Sequence, residues 1–265
     1  MIFEIFVAFV VLLLAATTAS AQSLDDAQRL FYSGRYEAAA ALARDIRTAD
    51  AENLAASELR SSALLFQIKR AVGDFPDRDK AWQLCSVCPD LLAAFLAETN
   101  HGRAAARATV ERNPNDDAAL FFLGKLDLNY VWLQLETLGR KKGWSEYWEA
   151  RKSLDTLLKR NPGHVRARVA RAWIDYIVDT KLPRGTRWLV GGGSRERGLL
   201  AVREAANADA DFFTQAEAAF ALWNMQVRER NFTEALTTAR SLSSEFPENQ
   251  DLARFITRHE SVATR

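Results

Sequence analysis

Histidine, proline and cysteine are scarce in this chain, and each scarcity excludes something. Three histidines, His101, His164 and His259, leave little material for acid–base catalysis or a zinc centre. Six prolines and twelve glycines in 265 residues exclude collagenous and low-complexity chains. Two cysteines are too few for a scaffold built on disulfides. Charge of one sign is also lacking: 35 basic side chains face 34 acidic ones, which argues against a general nucleic-acid binder. β-Branched residues are sparse, with 14 Val and 7 Ile against 44 Ala and 32 Leu. Alanine and leucine lead the helix scale, whereas β-branched residues favour strands. An all-α protein is expected. At 48% hydrophobic residues, the chain has enough apolar material to bury a core.

The first twenty-one residues read as an address. Ile5 to Ala16 is an unbroken apolar run of twelve residues, short of the twenty or so that a spanning helix needs. Ala19-Ser20-Ala21 behind it has the small-residue pattern of a cleavage site. Residues 1–21 are therefore expected to be a signal peptide cleaved after Ala21, with 22–265 as one domain in the periplasm or secreted. Met1 to Glu4 carries no Lys or Arg, which departs from the usual signal pattern. The alternative is membrane anchoring through residues 5–16. In an oxidising compartment, Cys85 and Cys88 read as a local disulfide or as two small buried thiols at a helix end.

Punctuation recurs along the rest of the chain. Ser33-Gly34-Arg35-Tyr36-Glu37-Ala38-Ala39 has loose echoes at Val72-Gly73-Asp74-Phe75 and Arg230-Asn231-Phe232-Thr233-Glu234-Ala235. Helical stretches end at Asn113-Pro114, Asn161-Pro162 and Phe246-Pro247, where proline stops one helix and sets the turn into the next. With these marks the chain resembles the tetratricopeptide repeat family, whose unit is about 34 residues with W-x2-L-G-x2-Y, A-x3-F and P positions. Phe232, Ala235 and Pro247 fit the second half of a unit, as do Tyr147, Ala150, Leu154 and Pro162. Leu123-Gly124 matches the L-G pair, and Ala27, Gly34, Tyr36 and Ala39 the first unit. No unit is complete, and Pro114 and Pro162 are 48 residues apart, so several units are degenerate or extended.

The resemblance and the helical periodicity together imply an all-α, right-handed α-solenoid of about six stacked antiparallel helix pairs. The expected pairs are 23–33 with 35–48, 52–72 with 77–86, 89–99 with 102–112, 116–138 with 144–160, 164–180 with 194–207, and 211–229 with 232–245. A last helix follows near 248–260. Small residues such as Ala39, Gly124, Ala150 and Ala235 would let the two helices of a pair approach. Tyr36, Tyr147 and Phe232 would fill the junctions.

Chemistry-bearing patterns are nearly absent: no H-E-x-x-H, G-x-S-x-G, Walker lysine loop or Rossmann glycines. The chain is expected to be non-catalytic and to use no cofactor or metal. Gly191-Gly192-Gly193-Ser194 leads into a helix flanked by Arg187, Arg195 and Arg197. Ser194 reads as an N-cap. The four residues Arg187, Ser194, Arg195 and Arg197 are a candidate anion site at a helix start, or an insertion with glycines at tight turns and arginines in solvent.

Net charge divides sharply along the chain: −5 over 1–138, +10 over 139–203 and −4 over 204–265. The basic block also holds Trp144, Trp148, Trp173 and Trp188. It suits an acidic protein, an anionic lipid surface or an anionic envelope polymer better than nucleic acid, given the expected compartment. Alternatively, the three blocks compensate one another inside one superhelix.

In the family that the chain resembles, ligands commonly lie in the concave groove lined by the first helices of the pairs. Carried onto this sequence, the resemblance implies Phe121, Lys125, Leu128 and Asn129 in one unit, and Phe220, Asn224 and Arg228 in another, as groove positions that bind a protein or peptide partner. A periplasmic or secreted scaffold is the first expectation. A small-ligand-binding accessory of an envelope transport system is the second.

Overall fold

The computed structural model describes residues 23–73 and 75–263, so the expected signal segment lies outside the described residues. Among the described residues the secondary structure is helical, with no strand. The helices are α1 (Leu24–Tyr32), α2 (Tyr36–Ala49), α3 (Leu54–Val72), α4 (Arg78–Leu84), α5 (Cys88–Arg112), α6 (Asp117–Trp132), α7 (Trp144–Arg160), α8 (Val165–Lys181), α9 (Arg195–Ala206), α10 (Phe212–Arg228), α11 (Phe232–Glu245) and α12 (Gln250–Ala263). A π-helical turn, Leu133–Thr137, prolongs α6, and a 3-10 segment, Arg184–Val190, precedes α9.

Local chemistry sets these boundaries. Ser23 starts α1 with a capping box: its hydroxyl accepts from the Asp26 amide, and the Asp26 carboxylate accepts from the Ser23 amide. Asn53, Asp116 and Asp211 cap α3, α6 and α10 by accepting from the amide three residues on. Helices α5, α7 and α11 stop just before Pro114, Pro162 and Pro247.

Apart from α4 and α5, consecutive helices pack on one another, building an all-α solenoid of helical hairpins. Residues 89–99 and 102–112, expected as a separate pair, form one helix, α5, with α3 as its antiparallel partner. Gly102 does not break it. A Cβ there would lie 2.8 Å from Leu126 Cδ1 and 3.1 Å from Ser57 Cβ, so the glycine serves close packing of α5 against α6 and α3. Residues 77–86, expected to pair with 52–72, form only the short α4 in the connection from α3 to α5, so among the described residues the stack is five pairs, this short helix and a closing single helix. Cys85 and Cys88 are disulfide-bonded across the α4–α5 junction.

Ala39, Ala150 and Ala235 are fully buried at helix contacts, and a Cβ on Gly124 would meet Leu154 Cγ at 2.9 Å. Tyr36 and Tyr147 are buried at their junctions. Phe232 instead stays partly exposed, stacked on His259 of α12 with ring centres 4.4 Å apart. A single helix follows it, too little to enclose the ring.

The stack does not end open. Tyr32 at the end of α1 sits in one apolar cluster with Ala216, Leu242, Phe246 and Leu252 from the far end. Its ring packs against Phe220, Phe246 and Phe213 at 5.3, 5.6 and 6.2 Å between centres. Its carbonyl accepts from Asn249 Nδ2 at 2.7 Å. Arg70 of α3 reaches Asp251 at 3.0 Å, and the Arg29 guanidinium lies over Phe212. First and last repeats thus meet along a seam, and the superhelix closes on itself.

Candidate functional site

Closure turns the concave groove into a central cavity of about 490 Å³. Its wall is made mainly by the inner faces of α1, α3, α6, α8 and α10, with the start of α12 completing it. Helical spacing decides which side chains reach it. On α6 these are Lys125, Leu128, Asn129 and Trp132. On α10 they are Glu217, Phe220, Ala221, Asn224 and Arg228, one side of the helix at three- and four-residue steps, with Trp223 at its edge. Eight lining residues are aromatic, three of them the tryptophans Trp132, Trp173 and Trp223.

A four-charge cluster lies on this wall. Lys125 Nζ is 2.7 Å from Glu217 Oε1 and 3.8 Å from a Glu58 carboxylate oxygen. Arg166 of α8 is 2.5 Å from Glu217 and 3.5 Å from Glu58. Burial alone would raise the Glu217 pKa, but Arg166 and Lys125 outweigh it and hold the carboxyl at about 2. Lys125 is held above its ordinary value: burial would lower it, and Glu217 and Glu58 prevail. Ser62 donates to Glu58 at 2.7 Å, and Asn129 Nδ2 donates to Ser62 at 3.0 Å.

A second group lies where the π-helical turn meets α10. Glu136 takes Arg228 at 3.1 Å and Lys181 at 3.2 Å. Burial would raise the Glu136 pKa, yet the two cations leave it lowered. Arg228 Nε donates to Asn224 Oδ1 at 2.8 Å, and its guanidinium lies over the Trp173 ring. Around the whole lining there are six cationic side chains against four carboxylates, an excess of two positive charges.

Of the expected groove positions, Lys125, Leu128, Asn129, Phe220, Asn224 and Arg228 line the cavity. Phe121 does not. It is 2% exposed, covered by the Arg166 guanidinium 4.6 Å from its ring centre and packed on His164. The start of α8 crosses α6 one turn before Lys125 and seals that position. Glu58, Arg166, Glu217, Trp132 and Trp173 were not among the expected residues. Glu217 was within reach of sequence reasoning, since it precedes Phe220 by three and so shares its face. Nothing in the chain pattern pairs Glu58 with Lys125 or Arg166, which lie on other hairpins.

The glycine-rich loop holds an anion already, the protein's own Asp179. One Asp179 carboxylate oxygen accepts from the Arg195 amide at the start of α9, at 2.8 Å. The other bonds the Arg187 guanidinium, which also donates to the Asp179 and Leu182 carbonyls. Ser194 caps α9 by accepting from the Arg197 amide at 3.2 Å. Arg195 pairs with Glu229 at 3.3 Å, and the Arg197 side chain is exposed. The glycines are structural. Gly191 and Gly192 have positive φ, Arg151 donates to the carbonyls of Val190, Gly191 and Gly192, and a Cβ on Gly193 would lie 2.6 Å from the Asp175 carbonyl oxygen. The candidate anion site is thus filled from within. Arg187→Ala is expected to leave sulfate binding unchanged while costing about 1–2 kcal/mol, a melting-temperature loss of roughly 3–6 °C. Thermal melts with and without sulfate check both.

Part of the basic block is neutralised in the same manner. Arg168 pairs with Glu204, Arg171 with Asp155 and Asp175, Arg203 with Glu234 and Lys181 with Glu136. Among the described residues no cluster of His, Cys, Asp or Glu could hold a metal ion, and no helix is long and apolar enough to cross a membrane. No family of known proteins matches the chain, and no curated protein matches it.

Proposed function

We propose that the protein is a non-catalytic binding protein of the cell envelope, secreted or periplasmic, whose ligand is a small amphipathic organic anion held in the central cavity. One observation carries this reading: the solenoid's ends meet, and its groove becomes a partly open cavity of about 490 Å³ with aromatic walls and a cationic excess. That volume lies within the range of small-molecule pockets, about 300–1,000 Å³, and is far below that of a folded partner. Trp132, Trp173 and Phe220 would cover an apolar body. Arg228, already oriented by Asn224 and Glu136, would receive a carboxylate by charge-assisted hydrogen bonds. The repeat pattern and its resemblance to tetratricopeptide proteins support a binding role over catalysis. In this role the protein would serve as an accessory of an envelope transport system. The second reading is a short acidic peptide segment of a partner protein. It is favoured by Asn129 and Asn224, amide-bearing side chains of the kind found in peptide-clamping grooves.

Thermal shift against a panel of monocarboxylates of increasing apolar length, with acidic peptides in parallel, tests the proposal. At a hundredfold excess over Kd, a matching acid stabilises by about 2.7 kcal/mol. Arg228→Ala is expected to weaken that binding about 10- to 100-fold. The unliganded melting temperature should fall only slightly, because Lys181 still faces Glu136. A shift given by peptides alone selects the second reading. Absence of any shift overturns both.

A further inference from the structure

We infer that the outer face of α7, together with the 3-10 segment beside it, docks on an anionic membrane surface. Trp144, Trp148 and Lys152 follow at four-residue steps along the solvent side of α7, and all three are exposed. The two indoles are 43% and 44% exposed, although burial would remove a large apolar area from water. Both pack edge-on against Tyr147 between them. The Tyr147 hydroxyl donates to the Val190 carbonyl at 2.8 Å. This bond fixes the 3-10 segment next to α7 and presents Trp188, 73% exposed, and Leu189, 56% exposed.

Charge around these apolar groups is segregated. Arg140, Lys141 and Lys142 precede Trp144 with Gly143 between, and Arg184 opens the 3-10 segment. All four are exposed, and none of them, nor Lys152, has an ion-pair partner among the described residues. The carboxylates of α7 turn away from this face. Glu146 and Glu149 bind Arg103 and Arg107 of α5, and Asp155 binds Arg171 of α8. The face therefore offers tryptophans and five free cations with no exposed acid of α7 beside them. Tryptophan settles at the headgroup level of a bilayer, and clustered Lys and Arg are drawn to anionic lipid. Such a surface is complementary in both respects. The residues involved are separate from those lining the cavity, so docking would leave the cavity free.

Vesicle flotation of the full chain tests this, using phosphatidylcholine vesicles and vesicles in which a third of the lipid is phosphatidylglycerol. Soluble polyglutamate serves as the competing acidic polymer. The variants are W144S/W148S/W188S and, as a surface change that leaves packing intact, K141E/K142E. The apolar run 5–16 is common to all the proteins compared. The full chain should bind the anionic vesicles at least about tenfold more tightly than neutral ones, and added salt should weaken the binding. Each variant should lose about tenfold or more while keeping its circular dichroism spectrum. Equal binding to both vesicle types overturns the inference, as does anionic binding that neither variant reduces. Capture by polyglutamate without vesicle binding also overturns it and assigns the face to an acidic protein.

Discussion

Glu217→Gln lowers the unfolding free energy at neutral pH by about 3 kcal/mol, and so the melting temperature by roughly 6–12 °C. The glutamine keeps the shape of the side chain and removes its charge. Lys125 and Arg166 then face Glu58 alone, at 3.8 and 3.5 Å instead of 2.7 and 2.5 Å. Breaking a buried ion pair on one side costs more than the pair itself contributes, because a desolvated charge is left behind. The pH dependence has a fixed sign. The folded-state pKa of Glu217, about 2, lies below its ordinary value of 4.5. Its contribution is complete above about pH 4.5 and is lost as pH falls from there towards 2. Urea melts of both proteins should therefore differ at pH 7 and converge in acid. A difference that stays constant through that window would refute the role assigned to this carboxylate. Adding Lys125→Met to Glu217→Gln should recover part of the loss, since Arg166 then shares Glu58 with no second cation.

Tyr32→Ala should be as costly, about 3–5 kcal/mol, with a localised signature. The ring lies among Phe213, Phe220 and Phe246, and the backbone beside it receives Asn249. Removing the ring empties the seam without touching any hairpin of the stack interior. Amide exchange should accelerate in α1 and α12 well before it does in α6. Affinity for a cavity ligand should fall, because Tyr32 and Phe220 are both on the cavity wall. Exchange that quickens uniformly would show that the seam is not a separate element.

The parts of this architecture that follow a local rule were legible. Proline positions marked the ends of α5, α7 and α11, and the four-residue spacing of Lys125 with Asn129, and of Phe220 with Asn224 and Arg228, put those residues on the inner wall. The division expected between residues 99 and 102 is absent, and no local rule marked these residues as one helix: Gly102 lies inside it because α6 and α3 pack too close for a side chain. Phe121 misled for a related reason: the spacing gave its side of α6, while the crossing of α8 that buries it is a tertiary fact. The charge blocks were legible as blocks, but their assignment to partners such as Glu217 with Arg166 depends on how hairpins stack. The seam had no sequence signal at all. Tyr32 and Asn249 are 217 positions apart, and neither fits a repeat position that announces an interface.

Closure has a consequence for how the molecule comes apart. An open array of helical hairpins unzips from its two termini, one unit at a time, and each unit's stability is felt only by its neighbours. Here the outermost hairpins hold each other, so neither can fray without breaking the aromatic contacts of the other. The last contact to form joins residues from opposite ends of the chain, a long loop to close. Stability is thereby pooled across the ring, and a lesion in any one repeat is shared by all of them.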